Sequence, residues 1–323
     1  ALYPIARRAR RCSRRIVAPV AAARRFPVAV GAVELPSPVM TAAGTSGHGA
    51  ELSAYFPLAE LGAVVVKSLS QDPWLGNPAP RVAPVRGGMI NSVGLANPGI
   101  AAWIDTDWPQ LAATGARVVL SVWGFTVEQY GAVARSVAQA IGRGQIDPIA
   151  VEVNVSCPNV EDRRAMFAHS AEGTAAVVRA VRRELGDDLA LWAKLSPNVT
   201  SLVDIATAAA GAGADSLTLI NTVMGLALDS DAQPRLGAGG GGLSGLAIHH
   251  VAVRAVADVR AALGSIGIVG VGGVCDARSA LELLDAGANA VQVGTATFAD
   301  PRAAWKINRR LCAALVGRRR RNR

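Results

Sequence analysis

The chain has 323 residues and a mass of 33.1 kDa, with 51% hydrophobic and 18% charged residues; that balance suits a large buried core and excludes a disordered chain. Its four cysteines, Cys12, Cys157, Cys275 and Cys312, share no CxxC or other metal-ligand spacing, which argues against a secreted disulfide scaffold and for a reducing, cytoplasmic setting. The net charge of +9 sits at the ends: the first 25 residues carry eight arginines and no acid, the last six carry five, and residues 26–317 are left with −4, so nucleic-acid recognition is not expected of the body.

The first element is the basic tail, residues 1–25. Leu2, Ile5, Ala9, Cys12 and Ile16 follow helical spacing with arginines opposite, the pattern of an amphipathic segment on an anionic membrane or of a targeting peptide. Arg24 and Arg25 cut the apolar run too short for a secretory signal, and the expectation is a flexible, solvated tail without membrane contact. A second basic tail is expected at 318–323, with one domain at 26–317 between them. The charge-free stretches 87–104 and 236–253 are broken by Gly, Pro, Asn or His, so no transmembrane helix is predicted.

Apolar runs then predict eight strands, at residues 39–43, 64–66, 118–120, 149–154, 189–195, 217–219, 267–271 and 291–293. Four of them follow a helix-like run and a Gly-Ala pair: Gly62-Ala63, Gly115-Ala116, Gly213-Ala214 and Gly287-Ala288. A glycine past a helix end supplies a left-handed cap, and an unbroken apolar run after it reads as a buried parallel strand. Eight such units predict an α/β fold, a TIM (β/α)8 barrel with long loop insertions at its C-terminal face. A doubly wound sheet is the alternative, but the glycines after the first run, Gly44 and Gly47, lack the dinucleotide-binding spacing. Two connections, 69–100 and 222–247, are too long for simple loops and follow strands, so both are expected to rise over the functional face.

Only three lysines, Lys67, Lys194 and Lys306, stand against thirty arginines. Lys67 and Lys194 close predicted strands, where a compact ammonium can approach a ring heteroatom as a planar guanidinium cannot; the plain alternative is a lysine reaching solvent. The fourth run ends in Asn154-Val155-Ser156-Cys157-Pro158-Asn159, two amides flanking a thiol, whereas Cys12, Cys275 and Cys312 read as small apolar residues. Asn221 and Thr222 end the sixth run, and Asn91 opens Asn91-Ser92-Val93-Gly94-Leu95-Ala96-Asn97-Pro98. Converging amides suit a flat ligand with alternating carbonyl and N–H edges. Gly270-Val271-Gly272-Gly273 and Gly294-Thr295 end the last two runs, where barrels cradle a phosphate, and together they predict a phosphorylated cofactor or substrate.

Taken in order, these motifs resemble the dihydroorotate dehydrogenase family over roughly residues 30–310. The likeness is carried by Lys67-Ser68, Gly76-Asn77-Pro78-Ala79-Pro80-Arg81, the Asn91 to Gly99 loop, the Cys157 loop, Lys194, Asn221-Thr222, Gly242-Leu243-Ser244-Gly245, Gly272-Gly273 and Val291-Gln292-Val293-Gly294-Thr295-Ala296. The resemblance implies a TIM barrel holding FMN that oxidises (S)-dihydroorotate to orotate in de novo pyrimidine biosynthesis. It makes Cys157 the base that removes the C5 proton while hydride passes from C6 to flavin N5. It assigns orotate to Lys67, Asn91, Asn154, Asn159, Asn221 and Thr222, with backbone help at Val93, Gly94 and Leu95. It assigns FMN to Ala43, Gly44, Lys67, Ser68, Asn154, Lys194, Gly245, Gly272, Gly273, Gly294 and Thr295, with Lys194 at the N1 and O2 edge.

The cysteine is similar to class 1, because the quinone-reducing membrane class carries serine there. Asn97-Pro98-Gly99 and the run from Val291 to Ala296 resemble the NAD-linked class 1B branch, which implies an iron–sulfur and FAD partner subunit, and either a homodimer or a heterotetramer is expected. Two departures stand out: Trp74 occupies a place where the family often has Arg, and residues 161–170 lack the Gly-rich stretch usual after the cysteine loop. Rival readings are a dihydropyrimidine dehydrogenase-like enzyme acting on dihydrouracil, whose base is a later cysteine where residues 158–172 have none, a dihydrouridine synthase, and a non-catalytic barrel subunit.

Overall fold

The apolar runs form one parallel sheet because each is buried on both faces, with helices outside and a filled barrel within. The structure, a computed structural model, describes residues 25–156 and 167–321. The barrel strands are β1 (Val39–Thr41), β2 (Val64–Val65), β3 (Val118–Val122), β4 (Ala150–Asn154), β5 (Ala190–Leu195), β6 (Ser216–Leu219), β7 (Gly267–Val271) and β8 (Ala290–Val293). They lie in the order β1-β8-β7-β6-β5-β4-β3-β2. Gly62 N donates to Val39 O at 2.8 Å and Thr41 N to Ala63 O at 3.3 Å, joining β1 to β2 and closing the cylinder. The predicted TIM barrel is present, with all eight strands where the runs placed them.

Alternate side chains point outward to the helices, as Leu120, Val151, Val153 and Leu217 do, or inward, as Val65, Val119, Ala150, Trp192 and Val269 do. Three of the four Gly-Ala pairs put their glycine in the left-handed region, at φ 70° for Gly115, 107° for Gly213 and 118° for Gly287. Gly62 does not. It follows a 3-10 turn (Leu58–Glu60), and glycine is required there by closeness: a Cβ would stand 2.3 Å from Ser37 O.

The pattern did not foretell what closes the bottom of the barrel. An antiparallel hairpin, Val28–Val30 with Val33–Leu35, inserts Val30 and Leu35 among the inward side chains of the lowest layer. The two long connections do rise from the opposite, C-terminal face, and they pair with each other. Val82–Val85, Gly88–Asn91, Gly241–Ser244 and Val223–Gly225 make a four-stranded antiparallel sheet in that order, with Asn91 opposite Gly242 and Met89 opposite Ser244.

Of the expected basic tail at 318–323, the described residues 318–321 are exposed and helical. The last helix, Ala303–Arg321, runs through Arg318 to Arg321; Arg318 Nη1 pairs with Asp285 Oδ1 at 2.7 Å and Arg319 stacks over Phe26 at 4.3 Å. The helical register gives Arg318 an acidic partner and Arg319 an aromatic one. The amphipathic pattern of residues 1–24, Cys12 included, lies outside the described residues. Among the described residues no helix is long and apolar enough to cross a membrane.

Candidate active site

The C-terminal ends of the strands and the four-stranded cap enclose a cavity of about 900 Å³, within the usual range for small-molecule sites. Every predicted site residue that is described lines it: Lys67, Asn91, Val93, Gly94, Leu95, Asn154, Asn221 and Thr222 from one group, and Ala43, Gly44, Ser68, Lys194, Gly245, Gly272, Gly273, Gly294 and Thr295 from the other. Cys157 and Asn159 lie outside the described residues, as do residues 161–166 of the departing loop. Ser156, the last described residue before them, is in the lining.

The amide floor is built by the ends of neighbouring strands. Asn221 Nδ2 donates to Asn154 Oδ1 at 3.1 Å, Asn154 Nδ2 reaches Ser68 Oγ at 3.4 Å, and Ser68 Oγ shares a 2.8 Å hydrogen bond with Ser121 Oγ. From the helix behind, Tyr130 Oη donates to Asn154 O at 2.6 Å and fixes the strand end. Such a rail of neutral groups both donates and accepts, the property required by a planar ligand of mixed edge.

The cap brings the other contacts. Asn91 Nδ2 donates to Gly242 O at 3.2 Å, which ties the two long connections together at the cavity. Leu95 holds φ 62°, and Gly94 holds φ 68°; a non-glycine residue in the left-handed region marks a loop fixed by its surroundings. Trp74, the departure from the family pattern, is one of those surroundings. Its Nε1 donates to Gly94 O at 2.8 Å, and its ring meets Phe125 edge-on at 4.9 Å.

Glycines shape the opposite end. A Cβ on Gly272 would lie 2.7 Å from Ala252 Cβ, one on Gly273 2.6 Å from His249 Cβ, and one on Gly245 2.6 Å from Gly88 Cα. All three have positive φ, so the backbone itself forms the wall and can approach a phosphate closely. Thr295 Oγ1 donates to Ser244 Oγ at 2.8 Å, joining this cradle to the cap.

Among the described residues, two cations line the cavity. Burial pushes the Lys67 ammonium below the ordinary lysine value, and the Arg81 charge adds to that. Lys194 does not reach solvent: it is 5% exposed, and its Nζ stands 3.5 Å from Glu152 Oε1 and 3.5 Å from Gln292 Oε1. Among the described residues no group of three or more His, Cys, Asp or Glu is placed to hold a metal ion.

Several residues escaped the sequence reading. Glu152 and Gln292 had a usable signal, each being a lone polar residue inside an apolar strand run. Asn198 had none. It lines the cavity, donates through Nδ2 to Thr222 O at 3.0 Å and accepts through Oδ1 from Met224 N at 2.8 Å, so only the folded chain reveals that it holds the 222–224 segment.

With this geometry in place, comparison with known proteins gives a consistent answer. The family model for dihydroorotate dehydrogenase matches residues 26–315. A protein of Geobacter sp. (strain M21) is 44% identical over 285 residues, covering 88% of this chain and 91% of its own. One of Desulforudis audaxviator (strain MP104C) is 46% identical over 285 residues, covering 87% and 89%; one of Citrifermentans bemidjiense is 43% identical over 290 residues, covering 90% and 92%. All three are named dihydroorotate dehydrogenase B (NAD(+)), catalytic subunit. A barrel whose strand ends offer an amide floor facing a glycine cradle, and which is matched over nearly its whole body, belongs to the dihydroorotate dehydrogenase family.

Proposed function

We propose that this chain oxidises (S)-dihydroorotate to orotate, in de novo pyrimidine biosynthesis, using FMN held in the cavity. The observation that carries this reading is the two-ended lining, with neutral amides and Lys67 at one end and a glycine-walled cradle at the other. The cradle fits a phosphate, because the glycines leave backbone where side chains would intrude. Gly272, Gly273, Gly245, Gly294 and Thr295 would hold the phosphate end, and Ala43, Gly44, Ser68 and Lys194 the ring. When bound, FMN supplies the acceptor for the hydride that leaves C6 of the substrate.

The protein's own residues do the rest. Lys67 offers positive charge to the substrate carboxylate. Asn91, Asn154, Asn159, Asn221 and Thr222 match donors and acceptors to the ring edges, and Val93, Gly94 and Leu95 close over it. Cys157 takes the proton from C5, so the lost proton and hydride together leave the C5–C6 double bond of orotate. The amide rail sets the ring's orientation, which a base acting on one carbon requires. Lys194 would set its positive charge beside the ring, where negative charge on it would be favoured.

An iron–sulfur and FAD partner subunit, in a cytoplasmic heterotetramer, would pass the electrons on to NAD. In support, the relatives are named catalytic subunits, and Met224, Leu226 and Phe298 line the cavity mouth while remaining 64%, 59% and 58% exposed, an apolar rim suited to a docked protein. The test is anaerobic mixing of the purified, yellow chain with dihydroorotate or with dihydrouracil. Bleaching by dihydroorotate alone supports the reading; bleaching by dihydrouracil favours the rival substrate, and a colourless chain favours a non-catalytic subunit. Reoxidation by NAD only after the partner is added, and not by fumarate, supports the acceptor.

A further inference from the structure

The barrel interior holds a carboxylate that the proposed reaction does not use. Glu152 lies in the middle of β4, fully buried, beneath the cavity and not in its lining. Its Oε2 accepts from Thr218 Oγ1 on β6 at 2.9 Å and from Gln292 Nε2 on β8 at 2.7 Å. Its Oε1 accepts no hydrogen bond from the described residues and faces Lys194 Nζ on β5 at 3.5 Å. Gln292 spans the pair, its amide N–H on the carboxylate and its amide oxygen 3.5 Å from the same ammonium. Four strands thus fix one buried anion behind one buried cation, and only the cation reaches the cavity.

We infer that Glu152 is the counter-anion of Lys194 and that the pair sets the electrostatic potential at the cavity floor against which the bound flavin gains negative charge. This rests on the proposed seat of FMN over Lys194. Glu152 is a positioning residue that acts through Lys194. The ammonium, next to the ring, favours negative charge on it; the carboxylate, one layer deeper, offsets part of that attraction. In a dry interior a unit charge one layer away is worth about tenfold or more in an equilibrium. A sealed carboxylate is also unfavourable without a partner, so each member of the pair depends on the other.

Sulfite reads this potential without turnover. Its lone pair adds to flavin N5, the displaced electron pair moves toward N1, and the ring becomes an anion while its yellow band is lost. Sulfite titrations of FMN-loaded wild type, Glu152→Gln and Glu152→Asp at pH 6.5 are the test. Glu152→Gln is expected to bind sulfite at least about tenfold more tightly, because the ammonium is no longer offset. Glu152→Asp, which keeps the charge, should stay within about threefold of wild type. Unchanged or weaker sulfite binding in Glu152→Gln would overturn the inference, since a merely structural role loosens the site and tightens nothing. Should Glu152→Gln fail to fold, adding Lys194→Met is expected to restore folding by removing both buried charges; no restoration would count against the pair. A wild-type chain that takes up no FMN would defeat the cofactor reading itself, and this inference with it.

Discussion

At the scale of the residue, Cys157 and Lys67 carry the clearest consequences. Cys157→Ala should leave FMN bound and lower flavin reduction by dihydroorotate about a hundredfold or more, the usual effect of losing a positioned base, as read by stopped-flow absorbance. Cys157→Ser should keep some activity with its pH profile moved upward, because a hydroxyl loses its proton less readily than a thiol; a profile that coincides with wild type would refute the base assignment. Lys67 gives a second pH dependence. Burial and Arg81 lower its pKa, so it loses its charge at a lower pH than an ordinary lysine, and only the charged form attracts the substrate carboxylate. Orotate affinity, measured by perturbation of the flavin spectrum, should therefore weaken as pH rises, beginning below the ordinary lysine value of 10.5, and Lys67→Met should abolish that limb. Lys67 and Lys194 were legible in the sequence because lysine is so rare in this chain, and Asn154 and Asn221 because each ends an apolar run. Glu152 was legible only as an oddity, since nothing in the run from Ala150 to Asn154 says which strand supplies its counter-charge.

At the scale of the element, the eight strands were legible because burial on both faces leaves an apolar run that few other structures produce. The four-stranded cap was not legible, although both of its connections were recognised as long and functional. Its central pairing joins Asn91 to Gly242 across 151 positions, and its strands are only three or four residues long, too short for alternation to declare itself. The cap's attachment to the barrel is correspondingly local. Asn198, after β5, grips the cap strand from both sides through Thr222 O and Met224 N. Asn198→Ala removes both bonds and should cost about 1–3 kcal/mol in stability. Because Thr222 moves with that strand, KM for dihydroorotate should rise several-fold while the yellow FMN band is retained. Unaltered KM would show that the cap is held elsewhere.

At the scale of the whole molecule, the barrel is graded along its axis. The hairpin and the lowest inward layer are largely apolar, with Ser216 the buried exception beside Gly31 and Gly267, the middle layer holds Glu152, Lys194, Thr218 and Gln292, and the top opens into the cavity. The middle layer separates packing below from chemistry above. Leu35, on the hairpin and 1% exposed, belongs to the lower cluster, whose buried members do not line the cavity. Leu35→Ala should therefore cost about 2–5 kcal/mol through the void it leaves, seen as a lower midpoint in chemical denaturation. Below that transition, FMN affinity and the rate of flavin reduction should match wild type, because the polar layer between is fixed by its own hydrogen bonds and not by the hairpin. A loss of FMN affinity in step with the loss of stability would mean that the lower layer positions the site through the barrel wall, and that the separation of stability from chemistry along the axis does not hold.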